Sequence, residues 1–405
     1  MPSLRPLVCT VLLGLASSFA TAATTGTFRV TVPASDQNRA GIVVSFALPA
    51  TAPTNAELRD SRGRTIPLQV GADRQARFVI ASAPAGEALT FTLGAAAVAP
   101  TAGITAQRSA DRLALNVGGQ PLFNFWLTPE PFPRAGIDAK FARAGFIHQL
   151  MTPAGAQITD SYPTDHIHHY GIWSPWTKTS FQGRAPDFWN VGRLSARVDF
   201  MGLDRVWEGP VHGGFVSRQD MVDLSGPAPV TALNETWTVT AYVMPGSTRA
   251  VHVFDLEIVQ TCATNDPLIL PEYHYGGLAF RGAASWQGAA NARILTSEGI
   301  DDRLKANASR ARWVHFWGDV DGKPAGATVL GHPENFRAPQ PIRIPPDDPY
   351  FCFIPSQMGE WRINPGEPYR ARYRFIAIDG APDPALIEAY WQGYTQPANA
   401  KVEAL

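Results

Sequence analysis

Cysteine, net charge and long apolar runs are what this chain has least of. Three cysteines occur in 405 residues, Cys9, Cys262 and Cys352. Two widely spaced thiols in the body of the chain do not build a zinc site, and whether Cys262 and Cys352 pair depends on a distance that sequence does not carry. The formal net charge of -1 excludes a nucleic-acid or polyanion binder that works through bulk charge. Past residue 22 no stretch reaches about 18 uninterrupted apolar residues, so no membrane span is expected. No repeat of fixed period is visible, which argues against a propeller. G-x-S-x-G, the P-loop, the dinucleotide fingerprint and H-E-x-x-H are all missing, so serine esterase, NTPase and dehydrogenase readings have no support.

What is present describes a globular protein. Hydrophobic residues make up 45% of the chain and charged residues 17%, far from a disordered composition, and the length predicts two or three domains at about 150 residues each. Arg5, the apolar segment Leu7 to Leu15 and Ala20-Thr21-Ala22 read as a secretory leader over residues 1–22, so a periplasmic or extracellular protein is expected. Residues 23–103 alternate with a period of two, as in Phe28-Arg29-Val30-Thr31-Val32, and predict a small β-sandwich. It ends in a small-residue linker at 96–103, and residues 104–405 form the larger domain. There, long alternating runs up to Met244 and from Ala250 flank Pro245-Gly246-Ser247, predicting a hairpin in a large antiparallel sheet. The one convincing helix comes last, with Asp383 as cap, Pro384 at its first position and an apolar stripe of Leu386, Ile387, Tyr390, Trp391 and Tyr394. The fold class is therefore all-β, stacked sheets with a C-terminal helix.

Chemistry concentrates in Asp165-His166-Ile167-His168-His169-Tyr170-Gly171-Ile172-Trp173, where three of nine histidines fall within four positions. Imidazoles transfer protons near neutral pH and ligate metals. A strand would put His166 and His168 on one face and His169 on the other, so convergence of all three needs a loop or a strand end. A second polar constellation, Glu272-Tyr273-His274, would share a face if it lay on a strand, giving an acid–base pair. Eleven tryptophans point toward sugar recognition, where an aromatic face stacks on a pyranose. Trp173, Trp176 and Trp189 are the expected platform, with Asp187 bonding hydroxyls, and His212 in a glycine-rich loop is expected to line the cleft. The competing reading is a metal held by His166 and His168 with Glu272, His274 or His212 completing the set for zinc or iron. No cofactor is otherwise predicted.

His166 to Trp173, followed by Asp187-Phe188-Trp189, resembles the "HPHHRGLW … DFW" signature of the PmoA-like family of exported bacterial proteins of unknown function. Tyr275-Gly276-Gly277-Leu278-Ala279-Phe280-Arg281 is similar to its second block, and Gly331-His332-Pro333-Glu334-Asn335 to its "DHP-N" block. Ile167 and Tyr170 stand where the family has Pro and Arg. The resemblance spans about residues 110 to 380 and implies a galactose-mutarotase-like β-supersandwich in glycan utilisation. The label methane oxygenase has no support, because no membrane span is expected. Taken together, the residues and the resemblance point to a carbohydrate-active enzyme performing glycosidic cleavage or β-elimination. His168 or His169 is the expected acid, with Glu272 or His274 as base, and His166, Trp173, Trp176, Asp187, Trp189 and His212 as substrate-binding residues. The alternatives are a non-catalytic glycan-binding protein and a His/carboxylate metalloenzyme.

Overall fold

The computed structural model describes residues 26–97, 101, 103–247 and 249–405. The leader read at 1–22 and part of the 96–103 linker lie outside the described residues. Period-two alternation builds a small sandwich first. Its five-stranded sheet runs in the order Lys401–Ala404, Phe28–Val32, Leu89–Ala95, Ala56–Arg59, Thr65–Ile66. The opposing four-stranded sheet holds Ala398–Asn399, Arg39–Ala47, Gln75–Ala83 and Gln69–Val70. Val30, Val44, Leu58, Phe78 and Leu93 form the core between them, with Phe78 edge-on to Phe91 at 5.1 Å. The turn expected at Asp60 is built as read, its carboxylate accepting the backbone N–H groups of Arg62 and Arg64 at 3.0 and 2.9 Å.

Two eight-stranded antiparallel sheets make the large domain, so the expected all-β, stacked-sheet class holds. The first sheet is ordered Ile342–Arg343, Tyr350–Phe353, Leu278–Arg281, Ile172–Trp173, Ile147–His148, Gln120–Trp126, Arg112–Val117, Ile104–Arg108. The second is ordered Ala196–Trp207, His212–Asp223, Val230–Tyr242, Val251–Cys262, Tyr369–Asp379, Lys323–Gly331, Trp313–Val320, Ala292–Thr296. Cross-sheet ring pairs mark the seam: Phe125 with Phe215 at 4.5 Å, Phe123 with Phe254 at 5.0 Å and Phe316 with Phe351 at 5.8 Å. Each such ring, fully buried, contributes about 1.5–3 kcal/mol, which is what holds two large sheets face to face. The hairpin expected around Pro245 pairs Val230–Tyr242 with Val251–Cys262. Cys262 and Cys352 are both free thiols, and no helix among the described residues is long and apolar enough to cross a membrane.

The outward side of the second sheet is also covered. Val253, Ile376 and Ile378 pack there against Ile387 and Tyr390 of the helix Pro384–Thr395 and against Ala40 and Val79 of the small sandwich. The helix starts as read, with Asp383 accepting from the N–H groups of Ala385 and Leu386. Arg374, 2% exposed, pairs with Asp255 on the neighbouring strand at 2.6 and 2.9 Å and also donates to the Gly41 carbonyl at 2.9 Å. One guanidinium thus ties the large sheet to the small sandwich. Beyond the helix the chain crosses back, so residues 398–404 pair with Arg39–Ala47 and Phe28–Val32.

Deleting residues 398–405 strips an edge strand from both small sheets. The expected cost is about 2–5 kcal/mol, the worth of a handful of net ladder hydrogen bonds. It would show as a separate early transition in thermal unfolding followed by far-UV circular dichroism. A single transition at the original midpoint would show the tail to be dispensable.

Candidate functional site

The histidine stretch enters the first sheet through Ile172–Trp173, which pairs with Phe280 and Ala279 of the strand Leu278–Arg281. Just before it the chain closes on itself. His169 N–H donates to the His166 carbonyl at 2.9 Å, and Tyr162 N–H to the His169 carbonyl at 3.0 Å. Gly171 takes φ +62° where a Cβ would lie 2.3 Å from the Ile147 carbonyl, so only glycine lets the turn meet the sheet. The loop brings the three imidazoles together as convergence required. His166 stacks on His169 at 4.6 Å, and His168 meets His169 edge-on at 4.9 Å.

Arg281, 1% exposed, orients this loop. Its guanidinium donates to both oxygens of Asp165, at 2.8 and 2.9 Å, and to Gln287 Oε1 at 2.9 Å. Asp165 in turn meets His166 Nδ1 at 2.7 Å. Burial works to raise the Asp165 carboxyl, but hydrogen bonds from His166 and Arg281 and the Arg281 charge outweigh it, holding the group well below the usual carboxylate range. Asp165, His166 and Asp348 are close enough for one ion. However, both Asp165 oxygens already serve a cation, so the trio reads as an ion-pair network. Among the described residues, no group close enough for one ion joins His166 and His168 with Glu272, His274 or His212.

The three imidazoles have different fates. His169 is 1% exposed, walled by Trp173 at 4.9 Å and Tyr350 at 4.6 Å, and its burial drives its pKa well below the ordinary value. It is a core residue, which corrects the catalytic role expected of it. His168 is half-buried. Burial first, then the neighbouring His166, lower it to about 4, while Asp187 pulls the other way. A neutral imidazole at neutral pH accepts a proton and does not supply one, so the acid role expected of His168 is also corrected. Beneath the loop, Ser161 Oγ donates to Glu130 at 2.6 Å, and burial pushes that carboxyl up to about 7. His148 lies 3.7 Å from Glu130. Burial lowers its pKa to about 3, so the contact is not an ion pair near neutral pH. Neither Glu130 nor His148 stood out in the sequence, because Glu130 lies between two prolines and His148 is a single histidine in an apolar strand run.

Asp187 opens the adjoining groove, an open cavity of about 610 Å³ lined by Lys178, Asp187, Asn190, Arg193, Tyr273 and Tyr275 among others. Asp187 Oδ1 caps a turn by accepting from the N–H groups of Trp189 and Asn190 at 3.0 Å each, and its Oδ2 takes Asn190 Nδ2 at 2.7 Å. Asn190 Nδ2 also reaches Tyr275 Oη at 3.0 Å and Thr177 Oγ1 at 3.1 Å. This committed network is the groove floor. Val191 and Leu194, at φ +49° and +54°, hold the rim loop in a left-handed backbone that costs non-glycine residues about 1–3 kcal/mol each.

Several expected positions are corrected. Trp173, Trp176 and Trp189 are 0, 1 and 1% exposed, with no face free for a sugar. Trp173 and Trp189 pack on each other at 4.9 Å, and Trp176 gives its indole N–H to Gln260 at 2.7 Å. The aromatic faces at the groove belong to Tyr273 and Tyr275, 5.0 Å apart, flanking His274 in a segment already singled out for its acid–base pair. Glu272 and His274 are exposed on a loop and not on a strand, since Pro271 precedes them and Gly276 and Gly277 follow at φ +134° and +73°. No bond joins the two among the described residues, though His274 rests on Tyr273 at 4.4 Å. His212, on the strand His212–Asp223 of the second sheet, lines a different cavity.

The model of a family of unknown function, DUF6807, matches residues 112–392. No curated protein matches the sequence. Among solved structures, a galactose 1-epimerase from Lactobacillus acidophilus NCFM is similar at 8% identity, covering 70% of this chain and 100% of its own, with a TM-score of 0.31. A galactose mutarotase related enzyme from Lactobacillus acidophilus is similar at 11% identity, covering 68% and 97%, with a TM-score of 0.24. Superpositions that loose carry no argument about chemistry.

Acid should destabilise the fold in a defined window. His148 and His315 are lowered to about 3, and His168 and His212 to about 4, burial being the first cause in each. Unfolded, each returns to about 6.5, so the unfolded chain binds more protons below that pH. Stability then rises with pH from about 3 to about 6.5 and is lost on acidification through that range. Melting temperature should fall steadily over that range, and less steeply in His168→Asn. A flat profile would mean that the folded imidazoles protonate as readily as free ones.

Proposed function

We propose a function from one premise, that this chain belongs to the family of unknown function DUF6807, whose model spans residues 112–392. The protein is a carbohydrate-active enzyme that holds a glycan in the groove beside His168. The PmoA-like resemblance is part of this proposal, since Asp187 of its 187–189 block lines the groove and His168 of its 166–173 block feels that carboxylate's charge. Export, on the strength of the leader pattern at 1–22, is part of it too. The observation that carries the reading is the groove floor itself. An amide, a carboxylate and a phenol are already bonded to one another in a 610 Å³ polar cavity, with two tyrosine rings at its side. Fixed polar groups beside aromatic faces suit a ligand whose surface alternates hydroxyls with apolar C–H faces.

In this reading Tyr273 and Tyr275 pack on the sugar ring, and Asn190 orients a hydroxyl. His168 takes a proton from the substrate, its neutral form being the majority at neutral pH. Tyr273, pushed up to about 12 by burial first and by Tyr275 next, keeps its proton and is the donor. Two-carboxylate hydrolysis gains little here, because the groove's Asp187 is committed to capping its own turn. Proton abstraction by an imidazole is the better match, which favours the elimination side of the two reactions expected.

The test is turnover on a panel of plant and bacterial oligosaccharides, with binding measured in parallel by calorimetry. His168→Ala should lower turnover by about 10²–10⁴-fold with affinity retained. Tyr275→Ala should weaken binding, and Glu272→Gln should leave both untouched. Binding without turnover in the parent protein would make it a glycan-binding protein. Absence of any binding would remove the glycan reading altogether.

A further inference from the structure

We infer that the cleft between the small sandwich and the outward side of the second sheet binds an anionic group, a carboxylate, sulfate or phosphate borne by a small molecule. The site is separate from the groove beside His168, and nothing in the preceding reading uses it. It is a cavity of about 640 Å³, within the range that holds a small ligand. The small sandwich supplies Gln69 and Arg77, and the large sheet supplies Arg205, Trp207, His212 and Thr240.

Its donors outnumber its acceptors. Arg77 is half-buried and Arg205 exposed, and neither has a carboxylate within 4.0 Å among the described residues. Other arginines nearby differ: Arg197, on the strand Ala196–Trp207 with Arg205, and Arg218, on its partner His212–Asp223, bond Asp199 and Asp204 at 2.8 and 2.7 Å. Arg205 instead lies over the Trp207 ring at 4.4 Å. Trp207 Nε1–H donates to His212 Nδ1 at 3.1 Å, so neutral His212 carries its own proton on Nε2. The imidazole is lowered to about 4 by burial, then by Arg77 and Arg205, so both cations act at one place. Gln69 Oε1 accepts from the N–H groups of Val211 and His212 at 3.2 and 3.0 Å, which clamps the two layers and leaves its amide N–H groups as donors. Asp73 is the one carboxylate on the lining, and its Oδ1 takes the Gln75 N–H at 3.1 Å. Two guanidinium groups with no ion-pair partner among the described residues, beside neutral donors at the seam, are a receptor for an oxyanion.

Calorimetric titration of the full chain at constant ionic strength tests this, with glucuronate, inorganic sulfate, inorganic phosphate and, as the uncharged control, glucose. At least one anion should bind saturably at a stoichiometry of about one, and glucose should not bind at this site. Saturation by glucuronate alone would identify an acidic sugar, whereas saturation by sulfate or phosphate would identify an ester or a free inorganic anion. Arg205→Gln and Arg77→Gln should each weaken that binding about tenfold or more, with circular dichroism checking the fold. Arg205 is exposed, so its variant decides the matter if Arg77→Gln does not fold. Absence of saturable anion binding, or binding unchanged in Arg205→Gln, would overturn the proposal.

Discussion

The site depends on one charge pair, Arg281 with Asp165. Arg281 sits 1% exposed at the end of the strand Leu278–Arg281 of the first sheet, where a guanidinium without a partner would cost several kcal/mol. Asp165 answers it with both oxygens, and that demand fixes where the loop before Ile172 must lie. Once Asp165 is placed, its bond to His166 Nδ1 places that ring, and stacking on His169 follows. The register of a β-sheet is thereby converted into the position of three imidazoles.

Burial then divides the labour among side chains that look alike in sequence. His169 faces Trp173 and Tyr350 and is core. His168 is half in water, neutral at ordinary pH and close enough to Asp187 to feel its charge. His166 stays with the ion pair at the rim. The same logic separates the aromatics: the tryptophans beside the loop fill the interior, and the tyrosines at 273 and 275 stay half-buried at the groove. A tyrosine keeps a hydroxyl for the floor network, which an indole in the core cannot offer.

Much of the architecture was legible because it rests on periodicity and local chemistry. The alternation in Phe28–Val32 and Val251–Cys262, the Asp60 turn and the Asp383-Pro384 helix start each express a preference of a few adjacent residues. The histidine loop was legible too, since no regular element lets residues 166, 168 and 169 converge. The expected pair Glu272 and His274 went astray because Pro271 and the two following glycines break the strand on which their spacing would have mattered. The tryptophans went astray because composition counts rings without saying which side of a sheet they face.

By itself, then, the sequence determined that the chain is built of alternating strands with a capped helix near its end, and that its chemistry gathers at 165–173 and 272–281. Those are consequences of local periodicity and of residue type. Only the tertiary structure decided which imidazole is dry, which carboxylate is already spoken for, and that His212 belongs with Arg77 and Arg205 at the seam with the small sandwich. Solvent exposure and electrostatic neighbours are properties of contacts between segments a hundred or more residues apart. Two side chains of one type have the same intrinsic pKa until a fold removes water from one of them and brings a charge to the other.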